Sequence, residues 1–176
     1  MPTASGRNDS AVLEIVVSQR TGPLSSPEPG TAFELFACEQ ILKPFDLSDD
    51  EILDGHVGGG NDGGLDGIYV LVDGNAVLDD SLFLQDVFDP TRVRRGAPLD
   101  IHLVQSKKSA GFEETAVQKV TSSLELILGL DHDEAELRAV FSDALVERVL
   151  RLRRTLLGTR VATPDYLRAL LVRVPR

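Results

Sequence analysis

Two short stretches of this sequence have the residue types and spacing needed for metal-assisted chemistry on a phosphate. A glycine-rich stretch at positions 58–67 contains Asp62 and Asp66 and leads into an apolar run. A second apolar run ends at Gln105-Ser106-Lys107, which begins 39 positions after Asp66. Carboxylate and amide oxygens are ligands for Mg²⁺, and a lysine can stabilise charge on a phosphate. If the two runs are neighbouring strands, these groups could hold a divalent metal and cut a phosphodiester bond.

Each stretch also has an ordinary structural explanation. Asn61-Asp62-Gly63-Gly64 is typical of a tight turn without metal, and Gln105-Ser106-Lys107 is typical of an exposed strand end. Residues two apart on a strand share a face, so Gln105 and Lys107 could face one site, with the carbonyl of Ser106 as a further ligand. The glycine-rich stretch has neither the later acidic ligand of a helix–loop–helix calcium loop nor the Gly-Lys-Ser/Thr ending of a P-loop.

Glu34 is a further candidate, and it has two competing explanations. Thr31-Ala32-Phe33-Glu34 fits a capping box, which accounts for the glutamate without any chemistry. On a helical wheel, however, Glu34 lies at the border of the apolar face, from which it could reach a site at the edge of a sheet. Glu39 lies on the opposite side of the same helix and is expected to be solvated.

The elements that must position these residues follow from composition and periodicity. Residues 1–10 indicate a disordered lead, and the β-branched segment Ala11–Val17 predicts a strand or short packing segment. Residues 21–30 contain three prolines and two serines and predict a loop. A helix should begin at Thr31 and end at Pro44, which cannot continue it.

The middle of the chain predicts strands. Ile68 to Val72 is apolar and β-branched, and the following Asp73-Gly74 is a strong hairpin signal. Residues 75–98 form a connection, and Leu99 to Val104 is the next predicted strand.

The last third of the chain predicts helices. Gly111 opens the first, and Asp131 caps a second, long one that continues to Gly158. Thr163-Pro164 should start a short third helix, because proline is favoured at the first helical position.

Composition bounds the class of protein. A chain of 176 residues with 42% hydrophobic residues is long enough for one globular domain with a sizeable core. The single cysteine, Cys38, excludes an internal disulfide framework and is expected to be a buried thiol. The sequence has no apolar run of about 18 residues and no signal-peptide pattern, so we expect no membrane partner and a cytoplasmic location.

The charge is distributed unevenly. The net charge of −10 argues against nucleic acid as a partner, since phosphate contacts need Lys and Arg. Residues 1–145, however, contain ten basic and 26 acidic residues, whereas residues 146–176 contain eight arginines and two acidic residues. The arginine-rich end could face phosphates or could be the solvated side of a helix.

Other catalytic patterns find no support. His56, His102 and His132 are widely separated and do not have the paired spacing of a zinc site, so each is expected to be structural or at the surface. No Gly-x-Ser-x-Gly elbow is present, which leaves serine hydrolysis without a basis.

Three segments together resemble the Mrr-like branch of the PD-(D/E)xK nuclease superfamily. They are Phe33-Glu34, the Asp62-to-Gly67 turn that enters a strand, and Val104-Gln105-Ser106-Lys107. More closely, residues 31–130 are similar to the N-terminal region of AIPR proteins, the abortive-infection phage-resistance family. The sequence departs from the superfamily pattern in the glutamine that replaces an acidic second ligand, as in the Mrr-like branch, and in a long connection from Asp66 to Gln105.

The resemblance implies a fold, a site and an activity. The fold would be α/β, a restriction-endonuclease-like αβββαβ core with a mixed central sheet and a helical C-terminal third. Residues 1–30 would be a lead and loop, and residues 31–176 the nuclease-like domain, from the N-terminal part of a longer protein. Asp66, Gln105 and Glu34 would hold Mg²⁺ or Mn²⁺, and Lys107 would act on water or phosphate.

The expected function is cleavage of DNA, with RNA not excluded, in bacterial defence against phage. One alternative is a nuclease fold that has lost catalysis and binds nucleic acid or a protein partner. Another is an oligomerisation domain, such as a homodimer formed through helices 111–158.

Overall fold

The computed structural model of the chain describes residues 4–22, 28–85, 88–89, 93–94, 96–107, 114–162 and 167–174. In these ranges helices and strands are mixed along the chain, which confirms the predicted α/β class. None of the described helices combines the length and the apolar character needed to cross a membrane.

The helices are α1 (Ala4–Thr21), α2 (Pro29–Leu42), α3 (Asp49–Gly55), α4 (Glu114–Leu128), α5 (Glu134–Val140) and α6 (Asp143–Ala162). The strands are β1 (Gly67–Val72), β2 (Asn75–Ala76), β3 (Leu99–Ser106) and β4 (Leu167–Val174), and 3₁₀ turns occupy Lys43–Phe45 and Leu82–Leu84.

The strands form one mixed sheet in the order β2-β1-β3-β4. β1 pairs antiparallel with both β2 and β3, and β4 pairs parallel with β3. In the central pair Gly67 lies opposite Val104 and Val72 lies opposite Leu99. Because β1 and β3 run in opposite directions, the residue before β1 lies beside the last residues of β3. We call this edge, where Asp66 meets Gln105-Ser106-Lys107, the Asp66 end of the sheet.

Helices cover the sheet on both faces. Ile68, Val70 and Val72 of β1 pack with residues of α4, α5 and α6 on one face. Tyr69 and Leu71 pack with residues of α2 and α3 on the other. Every residue of β1 is buried, which is why this central strand is a nearly continuous apolar run rather than an alternating one.

The predicted hairpin after β1 is confirmed. Asp73 and Gly74 have φ angles of +53° and +80°, the pair of positive values that a two-residue type I′ turn requires. The strands on either side of it also appear where the apolar runs predicted them, although β3 continues through Gln105 and Ser106. The long connection between the two central strands contains only the two-residue β2 and a 3₁₀ turn among its described elements.

Two predictions for the N-terminal segment, a disordered lead and a strand, are wrong where the structure describes it, whereas Ala11–Val17 does contain packing residues. Residues 4–10 and the expected strand Ala11–Val17 belong to one helix, α1. Val17 and Leu13, one turn apart, pack against Phe33 of α2. β-branched residues disfavour a helix by only a fraction of a kcal/mol each, so the free energy of this packing can outweigh their preference for a strand.

Helix α2 begins earlier than predicted, and this changes the role of Glu34. Its first residue is Pro29, favoured in a first turn, so Thr31 already lies inside the helix. The predicted capping box from Thr31 to Glu34 is therefore wrong. The helix does end just before Pro44, as expected. The acidic segment that follows contains α3, which Ser48 and Glu51 start with a reciprocal capping box.

The C-terminal helices differ from the prediction in their boundaries. Asp133 rather than Asp131 provides the cap, through a capping box with Glu136, and the predicted long helix is interrupted between α5 and α6. α6 then passes through Gly158 to Ala162. Gly111 and Thr163-Pro164 lie outside the described residues, but Leu167–Val174 is strand β4 rather than helix. The chain thus returns to pair with β3.

Two of the clustered arginines are used inside the protein. Arg151 is 5% exposed, ion-pairs with Asp54 and lies 2.7 Å from Asp79. Arg153 donates to the carbonyl oxygen of Gly129 at 2.5 Å, just beyond the end of α4. For these side chains both expected roles, facing phosphate or solvent, are wrong, because Arg151 pairs with the partly buried Asp54 and Arg153 donates to carbonyl oxygens at the end of α4.

His102 is a buried histidine without a hydrogen bond to the described part of the chain. It lies within β3, and its ring stands edge-on to Phe45 with the ring centroids 5.1 Å apart. Burial lowers its pKa below the ordinary 6.5, an effect that nearby Asp100 opposes. The folded protein therefore favours the neutral ring.

We expect His102→Phe to remove part of the acid sensitivity of the fold. As pH falls through 6.5 toward the lowered pKa, the unfolded state takes up the proton first, so the stability that the neutral ring supports is lost. The variant should gain stability relative to wild type at about pH 5, whereas the difference should be constant above about pH 7.5. Urea unfolding across this range measures both, and parallel pH profiles would contradict the expectation.

Candidate metal centre

Main-chain hydrogen bonds hold Asp66 at the start of β1. Its amide donates to the carbonyl of Val104 at 2.8 Å, and its carbonyl accepts from the amide of Val57 at 3.0 Å. Its carboxylate accepts a hydrogen bond from the amide of Ser106. Asp66 therefore lies directly against the last residues of β3.

The surroundings of Asp66 disfavour the ionised form of its carboxyl group. Burial raises its pKa to about 6, and the nearby Glu34 and Asp62 add to the rise, while the amide of Ser106 opposes it. Such perturbed carboxylates are typical of functional sites, where a bound cation would stabilise the charge.

Gln105, Ser106 and Lys107 are all partly exposed at the same end of the sheet. The first two are the last residues of β3, and Lys107 follows them directly. Since the amide of Ser106 contacts the Asp66 carboxylate, Gln105 and Lys107 flank that contact along the chain. The pairing of β1 with β3 thus brings together the two stretches that the sequence separates by 39 positions.

Glu34 approaches the same end from α2, and it has a partner that the sequence did not indicate. Its Oε2 lies 2.9 Å from Nε2 of His56, with side chains 26% and 15% exposed respectively. Because His56 forms a bridge with Gly67, the residue after Asp66, this contact brings the Glu34 carboxylate to the Asp66 end of the sheet. The two partners are 22 positions apart, so no local pattern could have identified His56.

Asp62 and Glu39 have other partners. Asp62 accepts from the amide of Gly64 at 2.7 Å, which stabilises the turn, and lies 2.9 Å from Nζ of Lys119. Glu39 forms an ion pair with Arg20 at 2.8 Å instead of being only solvated. Asp62 thus serves the turn, and Asp66 remains as the carboxylate at the end of β3.

Cys38 lies beneath the site as the buried thiol that the sequence predicted. It is fully buried among the residues between α2 and the sheet. Burial raises the pKa of its thiol to about 12, so the unreactive protonated form prevails at neutral pH. Cys38 therefore contributes packing rather than chemistry.

The residues at the Asp66 end fit a hard divalent cation. Asp66, Glu34 and Gln105 offer oxygen ligands, and Mg²⁺ takes one or two carboxylates with water completing its shell. A Cβ at Gly58 would overlap the Glu34 carboxylate, so the glycine leaves room for that group. Among the described residues, no three His, Cys, Asp or Glu side chains are grouped to hold a metal. An ion here would therefore need the amide or main-chain oxygens and water as well.

In comparisons with known proteins, no family model, curated protein or solved structure matches this chain. The site is therefore interpreted from its own geometry and chemistry.

Proposed function

We propose that this protein is a metal-dependent nuclease that hydrolyses phosphodiester bonds of DNA in bacterial defence against phage. The observation that supports the proposal most is the contact between the Asp66 carboxylate and the amide of Ser106. It joins the aspartate to the Gln105-Ser106-Lys107 run, and His56 brings Glu34 of α2 to the same end of the sheet. The defence role rests on the resemblance to AIPR proteins.

The order of elements agrees with the proposed nuclease-like core. Helix α2 precedes β1, β2 and β3, helices follow, and β4 then pairs parallel with β3. With α3 taken as an insertion before β1 and α4 to α6 as the helical segment before β4, this order supports the αβββαβ core that the resemblance implies, which would fall within the proposed domain 31–176 apart from the first two residues of α2. Helix α1 would be an addition before that core.

Each residue would have a separate role in the reaction. Asp66 and Glu34 would hold Mg²⁺ or Mn²⁺ with help from Gln105, and the ion when bound supplies positive charge that activates water and neutralises the phosphate. Lys107 would orient the attacking water or stabilise the charge that develops on the phosphate oxygens. The Ser106 amide would hold one carboxylate oxygen of Asp66 in a fixed position.

A nuclease fold that has lost catalysis and binds a protein partner is the second candidate, and the charge distribution favours it over binding of nucleic acid. The net charge is −10, and Arg151 and Arg153 are engaged inside the protein rather than offered to phosphates. An oligomerisation role for helices 111–158 has less support. Val120, Ile127 and Leu145 of these helices are buried in the core against the sheet, so this apolar face is already covered.

Cleavage assays on supercoiled plasmid and on RNA test the proposal. We expect wild-type protein to cut plasmid with Mg²⁺ or Mn²⁺ at low salt, and Lys107→Ala to slow cutting by at least about 100-fold. Lys119→Ala is the matched control, because this lysine lies at the same end of the molecule but pairs with Asp62, and it should remain near wild type. Equal cleavage by wild type and Lys107→Ala would overturn the assignment. Absence of both cleavage and plasmid binding by wild type at low salt would favour the second candidate.

A further inference from the structure

The contact between Glu34 and His56 couples two parts of the chain that meet only in the folded protein. Oε2 of Glu34 lies 2.9 Å from Nε2 of His56, and both side chains are largely removed from solvent. Glu34 is carried by α2, whereas His56 directly follows α3. The hydrogen bond therefore links one helix to the segment that enters the glycine-rich turn.

Main-chain contacts connect His56 to the Asp66 end of the sheet. His56 forms an antiparallel bridge with Gly67, the first residue of β1, and the next amide, Val57, donates to the carbonyl of Asp66 at 3.0 Å. The backbone of His56 and Val57 is thus hydrogen-bonded to the backbone of Asp66 and Gly67. A hydrogen bond to it fixes the Glu34 carboxylate relative to that aspartate.

The glycine at position 58 is part of the same arrangement. A Cβ there would overlap the Glu34 carboxylate and lie 2.7 Å from His56 Nε2. Both obstacles are ends of side chains rather than backbone. A methyl group at this position would therefore displace the carboxylate while leaving the fold in place.

We propose that His56 is a positioning residue that orients the Glu34 carboxylate toward the metal held with Asp66. The inference rests on the proposed function, because it assigns His56 to that same site. A carboxylate with one oxygen engaged by a fixed donor has fewer orientations to lose when it binds an ion. Removal of such a supporting partner typically weakens metal affinity by about 10- to 100-fold.

The test measures Mn²⁺ binding directly, by electron paramagnetic resonance of the free ion, alongside plasmid cleavage. His56→Leu should weaken Mn²⁺ binding by about 10- to 100-fold, and His56→Gln should restore most of it, because its amide nitrogen can replace Nε2. Glu34→Gln provides the reference for loss of the carboxylate itself. Thermal unfolding of each variant checks that the protein is folded.

Gly58→Ala gives a second perturbation that leaves both partners present. It should weaken Mn²⁺ binding in the same direction as His56→Leu. Gly60→Ala is its matched control, since a Cβ at Gly60 meets nothing within 4 Å, and it should bind Mn²⁺ like wild type.

The outcomes separate this inference from the proposed function. If wild type binds Mn²⁺ and cuts, but His56→Leu and Gly58→Ala do the same with unchanged affinity, the role of His56 is wrong and the nuclease proposal stands. If wild type neither binds Mn²⁺ nor cuts, both fall together. Weakened binding in His56→Leu that His56→Gln does not restore would also contradict positioning through the hydrogen bond.

Discussion

Asp66→Asn should abolish metal-dependent cleavage and, at pH 7.5, make the protein more stable than wild type. The two effects have one cause, the burial of a carboxylate that is useful for binding a cation and unfavourable without one. We expect activity to fall by at least about 100-fold, because the amide cannot supply the negative charge that the ion requires. The asparagine oxygen can still accept the hydrogen bond from the amide of Ser106.

The gain in stability has a defined pH dependence. The pKa of Asp66 is raised from 3.8 to about 6 in the folded protein. As pH rises, the unfolded state therefore loses this proton first, and the wild-type protein loses stability between about pH 3.8 and 6. Removing the charge should raise the free energy of unfolding by up to about 3 kcal/mol above pH 6. The gain should shrink as pH falls from about 6 to 3.8, and it should vanish below that, where both states of wild type are protonated.

Urea denaturation without added metal, at several pH values, measures this gain. Asp62→Asn is the matched control, because it makes the same change four positions earlier. Asp62 accepts hydrogen bonds from the amide of Gly64 in the turn and from Lys119. It should keep cleavage activity and should not stabilise the protein. If Asp66→Asn cuts DNA like wild type, Asp66 is not part of the catalytic site. If Asp66→Asn is less stable than wild type at pH 7.5, the electrostatic explanation is wrong.

Arg151→Ala should lower the free energy of unfolding by about 1–3 kcal/mol, the cost typical of leaving a partly buried polar group without its main hydrogen-bond partner. Arg151 is 5% exposed and ion-pairs with Asp54, whose side chain is 27% exposed. It also donates to the carbonyl oxygen of Val77 at 3.4 Å. Its loss would leave the Asp54 carboxylate with only the longer ion pair to Arg148, at 3.6 Å, at the junction of α3, α6 and the segment after β2. The pair with the exposed Asp79 should contribute little to this cost.

The matched control for this prediction is Arg154→Ala in the same helix. Arg154 is exposed, so its replacement should change stability by no more than about 0.5 kcal/mol. Urea unfolding at pH 7 compares the two variants with wild type. If Arg151→Ala lowers the free energy of unfolding by less than about 1 kcal/mol, water solvates the Asp54 carboxylate well enough to replace the arginine. The junction would then not depend on Arg151.

Local patterns in the sequence predicted the elements on which the site depends. The apolar runs predicted β1 and β3, Asp73-Gly74 predicted the hairpin, and Pro44 predicted the end of α2. These signals concern a few adjacent residues, and their physical causes, such as positive φ at Gly74 and the missing amide of proline, act without the rest of the fold.

Predictions failed where packing between distant segments decided the outcome. Ala11–Val17 has strand propensity, but it is helical because Val17 and Leu13 pack on α2. The Thr31-to-Glu34 pattern fits a capping box, yet the helix had already begun at Pro29. In the first case a preference worth a fraction of a kcal/mol gave way to burial of apolar surface. In the second, Pro29 is suited to the first turn of a helix, so Thr31 lies inside the helix.

By itself, the sequence determined which groups are available for chemistry, since Asp66, Gln105, Lys107 and Glu34 could all be named from residue type and spacing. Only the tertiary structure decided how they are held. The pairing of β1 with β3 sets Asp66 against the amide of Ser106, and the packing of α2 and α3 brings His56 to Glu34. It also turned Arg151 and Arg153 inward, away from any phosphate. Hydrogen bonds and ion pairs act over a few ångströms, so partners 22 to 97 positions apart are chosen by the fold and not by the chain around them.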